Sequence, residues 1–344
     1  MSSHKNSYKN SRRNNPIDRE HTAPFPNGSW HGKRYYSLEA FLKNQYGRRM
    51  KKIAIDAGFT CPNRDGTLDT RGCIFCSTGG SGEFALPLSP SVSLSEITNG
   101  ADGAAEPFIA YFQAYTCTYA PVPRLERLFR DAMEHPLSAG ISIATRPDCL
   151  PEEVLSLLDR LNKDYPEKFL WIELGLQTIH EKTAAYIRRG YPLSCFEQAV
   201  CALHARSIPV IVHVILGLPY ENETMMLQTA DYLNSLPVSG VKLQLLHVLK
   251  HTDLAADYEK GLFQTLTMEA YLDILIHCIE RLSPDIVIHR VTGDGAGKLL
   301  IAPLWSLEKK KVLNELHHRM KVQDTYQGKY RLEERKKTSC RRNP

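Results

Sequence analysis

The chain has 344 residues, 42% of them hydrophobic and 24% charged, with a net charge of +5, which is apolar material enough for one large α/β domain or two ordinary ones. No apolar run approaches the roughly 20 residues that span a bilayer, and the opening MSSHKNSYKNSRRNNP is polar and basic, without the apolar stretch of a secretory signal. Membrane insertion and secretion are disfavoured and the cytoplasm is expected, where nine cysteines read as metal ligands or small buried hydrophobes rather than disulfides.

In chain order, residues 1–30 read as a basic extension without regular structure. Beyond it, short apolar and β-branched runs alternate with helical patterns. KKIAIDA (51–57) and PFIAYFQAYT (107–116) are the first two predicted strands, followed by the helical PRLERLFRDAME. GISIATRPD (140–148) leads into LPEEVLSLLDRLNK, and FLWIELGLQT (169–178) into SCFEQAVCALHARS. IPVIVHVILGLP (208–219) precedes NETMMLQTADYLNSL, and GVKLQLLHVL (240–249) and DIVIHRVTG (285–293) complete the set. Strands alternating with helices demand a parallel sheet with right-handed crossovers. About six such units over residues 50–292 suggest a TIM-like barrel, complete or partial, and a doubly wound open sheet fits the same periodicity. In either fold the working residues sit at the C-terminal ends of the strands.

The loop after the first strand carries Cys61, Cys73 and Cys76. Three cysteines can bind three irons of a [4Fe–4S] cluster and leave the fourth iron open, which a closed structural site does not do. An open iron can chelate the amino and carboxylate groups of S-adenosylmethionine (SAM), and one electron from the cluster can then break its sulfonium bond. The competing reading is a structural zinc site, built on Cys73 and Cys76 with Cys61 and one distant ligand, in a binding module without catalysis. Cys117, Cys149, Cys195, Cys201, Cys278 and Cys340 show no second cluster spacing.

The stretch FTCPNRDGTLDTRGCIFCS resembles the cluster loop of radical SAM enzymes, with the first gap widened to eleven residues. Together with YFQAYTCTYAP, IATRPDCL, ELGLQT, HVILGLPYENE, LLHVLKHTDLA and VIHRVTGDG, it resembles the YhcC/YtqA family, whose core is similar to the radical SAM domain of the Elongator catalytic subunit. The likeness runs over about residues 30–310. It implies a partial (β/α)6 TIM-like barrel of the radical SAM type at 31–310, between a short N-terminal extension and a basic C-terminal tail at 311–344. It also implies one [4Fe–4S] cluster on the three cysteines, SAM as second cofactor, and Phe75 against the adenine. The substrate so implied is tRNA, modified at C5 of the wobble uridine to an aminomethyl-type group. A flavodoxin- or ferredoxin-like electron donor and a downstream methyltransferase would be its partners. A small metabolite or a protein side chain is the alternative substrate.

Period-two alternation puts Glu173, Gly175 and Gln177 on one face of a strand, facing the barrel interior. Glu173 and Gln177 are candidates for hydrogen bonds to SAM, and Gly175 and Gly217 for close approach of the cofactor to the backbone. Gln113 and Tyr115 share a face near the end of the second strand. Arg146 ends the third strand and could hold an anion or pair with Asp148. His213, His247, His289 and Arg290 are further candidates on strands, and Cys117 is a candidate radical-quenching or substrate-facing thiol.

Residues 1–20 carry +3 and residues 308–344 carry +7, leaving −5 on the body between them. Basic ends suit a polyanion such as tRNA, with the surface around Arg48, Arg49, Lys51 and Lys52 as the other basic face. Only about fifty residues follow VIHRVTGDG, too few for the acetyltransferase domain that the Elongator subunit carries there. Any action on uridine is then expected on a group already attached to the base, or with a partner completing the product.

Overall fold

All seven apolar runs become strands of one sheet, because each is short, β-branched and closed by a turn or helix start. The computed structural model describes residues 30–80, 82–88, 107–293, 295 and 297–331. Most of the N-terminal extension and the last thirteen residues, with Arg335, Lys336, Lys337, Arg341 and Arg342, lie outside the described residues. The strands are β1 (Lys51–Asp56), β2 (Leu86–Pro87), β3 (Phe108–Phe112), β4 (Ser138–Thr145), β5 (Phe169–Gln177), β6 (Val210–Leu216), β7 (Gly240–Leu245) and β9 (Val287–Arg290). They pair in the order β2-β1-β3-β4-β5-β6-β7-β9, parallel throughout. The sixth predicted strand stops at Leu245, and Val248–Leu249 (β8) instead pairs antiparallel with Leu300–Ala302 (β10).

That order settles the choice left open by periodicity. A doubly wound sheet reverses direction at a switch point, whereas here each long strand joins beside its predecessor. Right-handed crossovers then place the helices on one side of the sheet. The helices Val122–Glu134, Glu152–Asp164, Leu193–His204, Glu223–Leu233 and Met268–Arg281 pack there against Ile55, Phe112, Ile143, Leu174, Val212 and Leu243 in the main core. The other face is concave. The sheet ends at β2 and β9 without pairing them, so the architecture is a partial TIM-like barrel.

The N-terminal end of this barrel is plugged. The helix Leu38–Tyr46, capped by the Ser37 hydroxyl at Ala40 N, sets Leu42 against Ile109, Phe169, Trp171 and Ile211. Phe41 meets Trp171 edge-on, with ring centroids 5.9 Å apart. Solvent therefore reaches the interior from elsewhere.

The boundary expected at residue 311 falls inside the helix Lys309–Val322. Val312, Leu316 and Met320 of that helix are buried in the main core, because they recur at four-residue spacing on one face. The tail thus begins later than the charge alone suggests. At the other end Trp30 is already buried.

Candidate active site

Inward-facing residues of the strands line one cavity of about 820 Å³, into which the cysteine loop descends. Cys61, Cys73 and Cys76 all line it and are half-buried. The loop closes on itself through Gly72 N to Asn63 O at 2.7 Å and Cys76 N to Cys73 O at 3.0 Å. Asn63 is its peg. Its buried amide donates to Arg188 O at 2.7 Å and to Cys73 Sγ at 3.5 Å. Hydrogen bonding with Cys76, then the Arg146 charge, Asn63 and Arg64, outweigh burial and draw the Cys73 thiol down to about 6. At neutral pH this favours the thiolate, the form that binds metal.

Among the described residues, no three His, Cys, Asp or Glu side chains converge on a point that would hold a single metal ion. A one-zinc site is therefore not preformed. In a [4Fe–4S] cube each thiolate binds its own iron, so three thiols on one loop lining a roomy cavity suit the cluster.

Deeper in the cavity lies a buried charge cluster. Glu173 is fully buried, and both of its oxygens are taken. Oε1 accepts from the Lys52 ammonium and from the Ser142 hydroxyl at 2.7 Å. Oε2 accepts from the Lys242 ammonium and from His213 Nε2 at 2.6 Å. Burial would raise the Glu173 carboxyl, but Lys242, Lys52 and the His213 bond together hold it well below the carboxylate range. Burial and the Lys242 charge lower His213 to about 4, so the imidazole is neutral at physiological pH. Its proton must sit on Nε2 to serve Glu173, which leaves Nδ1 to accept from Gln244 Nε2 at 3.4 Å. Lys242 also donates to Tyr111 OH at 3.0 Å, and Lys52 lies 3.8 Å from the centre of the Tyr111 ring.

Towards the C-terminal end of the same strand the sheet is distorted on purpose. Pairing of β5 with β6 shifts register between Gly175 and Gln177, and Gln177 has φ 65. A non-glycine residue in that region is strained unless its surroundings hold it there. Gln177 Oε1 is buried without a partner, at the wall of the cavity. A Cβ on Gly175 would stand 2.9 Å from the Gln177 amide nitrogen, so only glycine leaves that amide its place. An orphaned acceptor beside the cysteine loop fits a cofactor that brings donors, as SAM does with its amino and ribose groups.

The strand candidates divide on this geometry. Phe75, Gln113, Tyr115, Arg146, Glu173, Gly175, Gln177, His213, His247 and Arg290 line the cavity with the three cysteines. Glu173, however, has both oxygens engaged by the chain's own donors. Arg146 takes its structural option, gripping Asp148 through Nε at 2.9 Å and a terminal nitrogen at 2.7 Å.

Three candidates stand elsewhere. Cys117 is wholly buried in the core beneath the helices and donates to Ala114 O at 3.2 Å, and burial pushes its thiol well up. Packing explains that thiol, because it sits on the helix-facing side of the sheet. Gly217 does not line the cavity: its φ of +85 turns the chain, and a Cβ would meet Leu266 at 2.9 Å. His289 lies below the cavity with its ring edge-on to Trp171, centroids 5.3 Å apart. Lys242, Tyr111 and Ser142 were the residues sequence reasoning missed. A lone lysine in the apolar run GVKLQLL was their one legible signal.

With this geometry in view, comparison with known proteins is specific. Residues 70–233 match the model of the radical SAM superfamily and residues 238–322 that of the radical SAM C-terminal domain. The chain is 42% identical over 320 residues to the uncharacterized protein YtqA of Bacillus subtilis, covering 90% of this chain and 97% of YtqA. It is 35% identical to protein YhcC of Escherichia coli, over 77% of this chain and 85% of that one. Among solved structures, the archaeal Elp3 of Methanocaldococcus infernus, with residues 1–46 deleted, superposes with a TM-score of 0.58 at 13% identity. That match covers 81% of this chain and 65% of Elp3, and shows a shared fold.

Proposed function

The chain belongs to the radical SAM superfamily, in the group that includes YtqA and YhcC, and from that premise we propose that it modifies the C5 side chain of the wobble uridine of tRNA, leaving an aminomethyl-type group. It is a radical SAM enzyme with a [4Fe–4S] cluster and SAM as cofactors. When bound, these would supply radical chemistry, the cluster an electron and SAM the 5′-deoxyadenosyl group.

The chain's own residues divide the remaining work. Cys61, Cys73 and Cys76 hold the cluster, Phe75 packs on the adenine, and Gln177 Oε1 accepts from a donor of SAM. Gly175 keeps the amide of Gln177 in place. Glu173 is a positioning residue: it fixes Lys52, Lys242 and His213 at the floor beneath the substrate. The hydrophobic wall of Ile215 and Leu246 excludes water from the reacting end. A flavodoxin- or ferredoxin-like protein supplies the electron, and a methyltransferase acts on the product.

One observation carries the tRNA reading. Eight lysines and arginines line the cavity against two glutamates, Glu83 and Glu173, among the described residues, and with Asp148 on Arg146 and Glu181 on Arg189 an excess of four positive charges remains (eight less four). A cavity of about 820 Å³ has room for SAM and a nucleotide side by side, and its charge selects an anionic substrate. The test is the nucleoside composition of total tRNA from cells with and without the gene. Loss of one modified wobble uridine, with gain of its precursor, is the expected result. An unchanged profile overturns the proposal.

A further inference from the structure

The cavity has a mouth where a closed barrel would have a seam. β2 and β9 end the sheet. Residues beside both ends line the same cavity: Lys51, Phe84 and Leu86 on one side, and Gly295, Leu307 and Lys309 on the other. Several of these are also open to solvent. Phe84 is 55% exposed, Leu307 48% and Leu86 43%, and Lys51 and Lys309 are exposed as well. An interior cavity whose lining is this exposed reaches the surface there. Large apolar side chains gathered at a cavity rim mark a binding surface.

The charges of the rim say what binds. Arg48 and Arg49 precede Lys51, and Lys310 and Lys311 follow Lys309, all of them exposed. Acids are present too: Glu83 accepts the Ser77 hydroxyl, Glu39 pairs with Arg49 and Glu308 with Lys311 at 3.0 Å, and the basic residues named still outnumber them. An exposed aromatic ring at a rim with basic residues on both edges is the arrangement that takes single-stranded nucleic acid, bases stacking on the ring while cations follow the phosphates. We propose that the seam is the RNA-docking mouth, with Phe84 as the platform on which a base of the anticodon loop stacks and Lys51 and Lys309 as phosphate contacts. This rests on the tRNA reading of the same cavity. It adds to that reading a specific entry route, which takes only Lys309–Lys311 from the basic C-terminal end of the chain.

The test uses the full-length, cluster-loaded protein and a fluorescein-labelled anticodon stem-loop, followed by anisotropy across a salt series. Phe84→Ala is expected to weaken binding about 5- to 150-fold, the usual effect of losing one stacked base, while Phe84→Trp restores it. The double variant Lys51→Gln, Lys309→Gln is expected to flatten the slope of log affinity against log salt by about 1.4, from two phosphate contacts to a single strand. Thermal melting of each variant separates lost contacts from lost folding. If the wild type binds RNA and both variants match it in affinity and slope, the seam is not the mouth, and the tRNA reading stands without it. If the wild type binds polyglutamate and no RNA, the tRNA reading itself fails, and the seam serves an acidic protein segment instead.

Discussion

Replacing Glu173 by glutamine keeps the size of the side chain and one acceptor oxygen, and removes the charge. In the wild type that charge faces two ammonium groups, Lys242 with 4% of its side chain exposed and Lys52 with 21%. It also receives the Ser142 hydroxyl and His213. Removing one partner of a buried ion pair costs about 3–5 kcal/mol, chiefly because the other charge is left uncompensated. The two lysines differ in exposure, so the cost falls mainly on Lys242, and the single-pair range applies to the variant as a whole. Urea unfolding followed by tryptophan fluorescence is the assay, since Trp171 lies in the plug beneath this cluster. The pH dependence has a definite sign. A carboxyl held below its unfolded value of about 4.3 stabilises the fold above that pH, and its contribution is lost as pH falls through the folded value. The wild type should therefore exceed Glu173→Gln in stability near neutrality, and the gap should close below about pH 4. A variant as stable as the wild type, yet unable to bind SAM, would refute this reasoning and return Glu173 to the cofactor.

Four further outcomes are expected. Anaerobic reconstitution should give about four irons and four sulfides and a brown charge-transfer absorption, both lost in Cys76→Ala; stoichiometric zinc without sulfide would count against the cluster. Gln177→Ala should keep the cluster and weaken SAM binding about ten- to a hundredfold, as when a charged hydrogen bond is removed, measured by equilibrium dialysis. Cys117→Ala should form 5′-deoxyadenosine at the wild-type rate and lose about 1 kcal/mol of stability, because a small buried group is deleted; loss of turnover with the fold intact would restore it as a radical-handling thiol. Gly217→Ala should melt lower by more than the 0.4–1 kcal/mol an alanine usually gains elsewhere, since φ is +85 and Leu266 fills the space, with SAM affinity unchanged.

How far the sequence could be read depended on the range of the interactions involved. Strand positions were legible because period and β-branching are local, and the run FLWIELGLQT became β5 with Glu173 and Gln177 facing inward. The choice of barrel over open sheet was not legible in periodicity, because strand order depends on which neighbour each crossover reaches, and it came from the family resemblance instead. The cysteine loop was suggestive by its three closely spaced thiols, and its reading as a cluster loop rested on the resemblance of seven motifs in order. Gly217 and Cys117 show the limit: a glycine in VILGLP and a cysteine after a strand carry no mark of which face they occupy. The register at the strand end decides that, and it put both away from the cavity. Lys242 was hidden for the opposite reason. Its partners Glu173 and Tyr111 come from two distant strands, the second cation on Glu173, Lys52, comes from a third, and only the curvature of the sheet brings them together.

The central claim is that this radical SAM enzyme acts on the wobble uridine of tRNA. The most direct measurement incubates the reconstituted protein, SAM and a one-electron reductant with total tRNA from cells lacking the gene, and analyses both products together. The expected result is 5′-deoxyadenosine formed in step with conversion of one wobble nucleoside, and no conversion with Cys76→Ala. Cleavage of SAM at the same rate with and without tRNA, with every tRNA nucleoside unchanged, would contradict it.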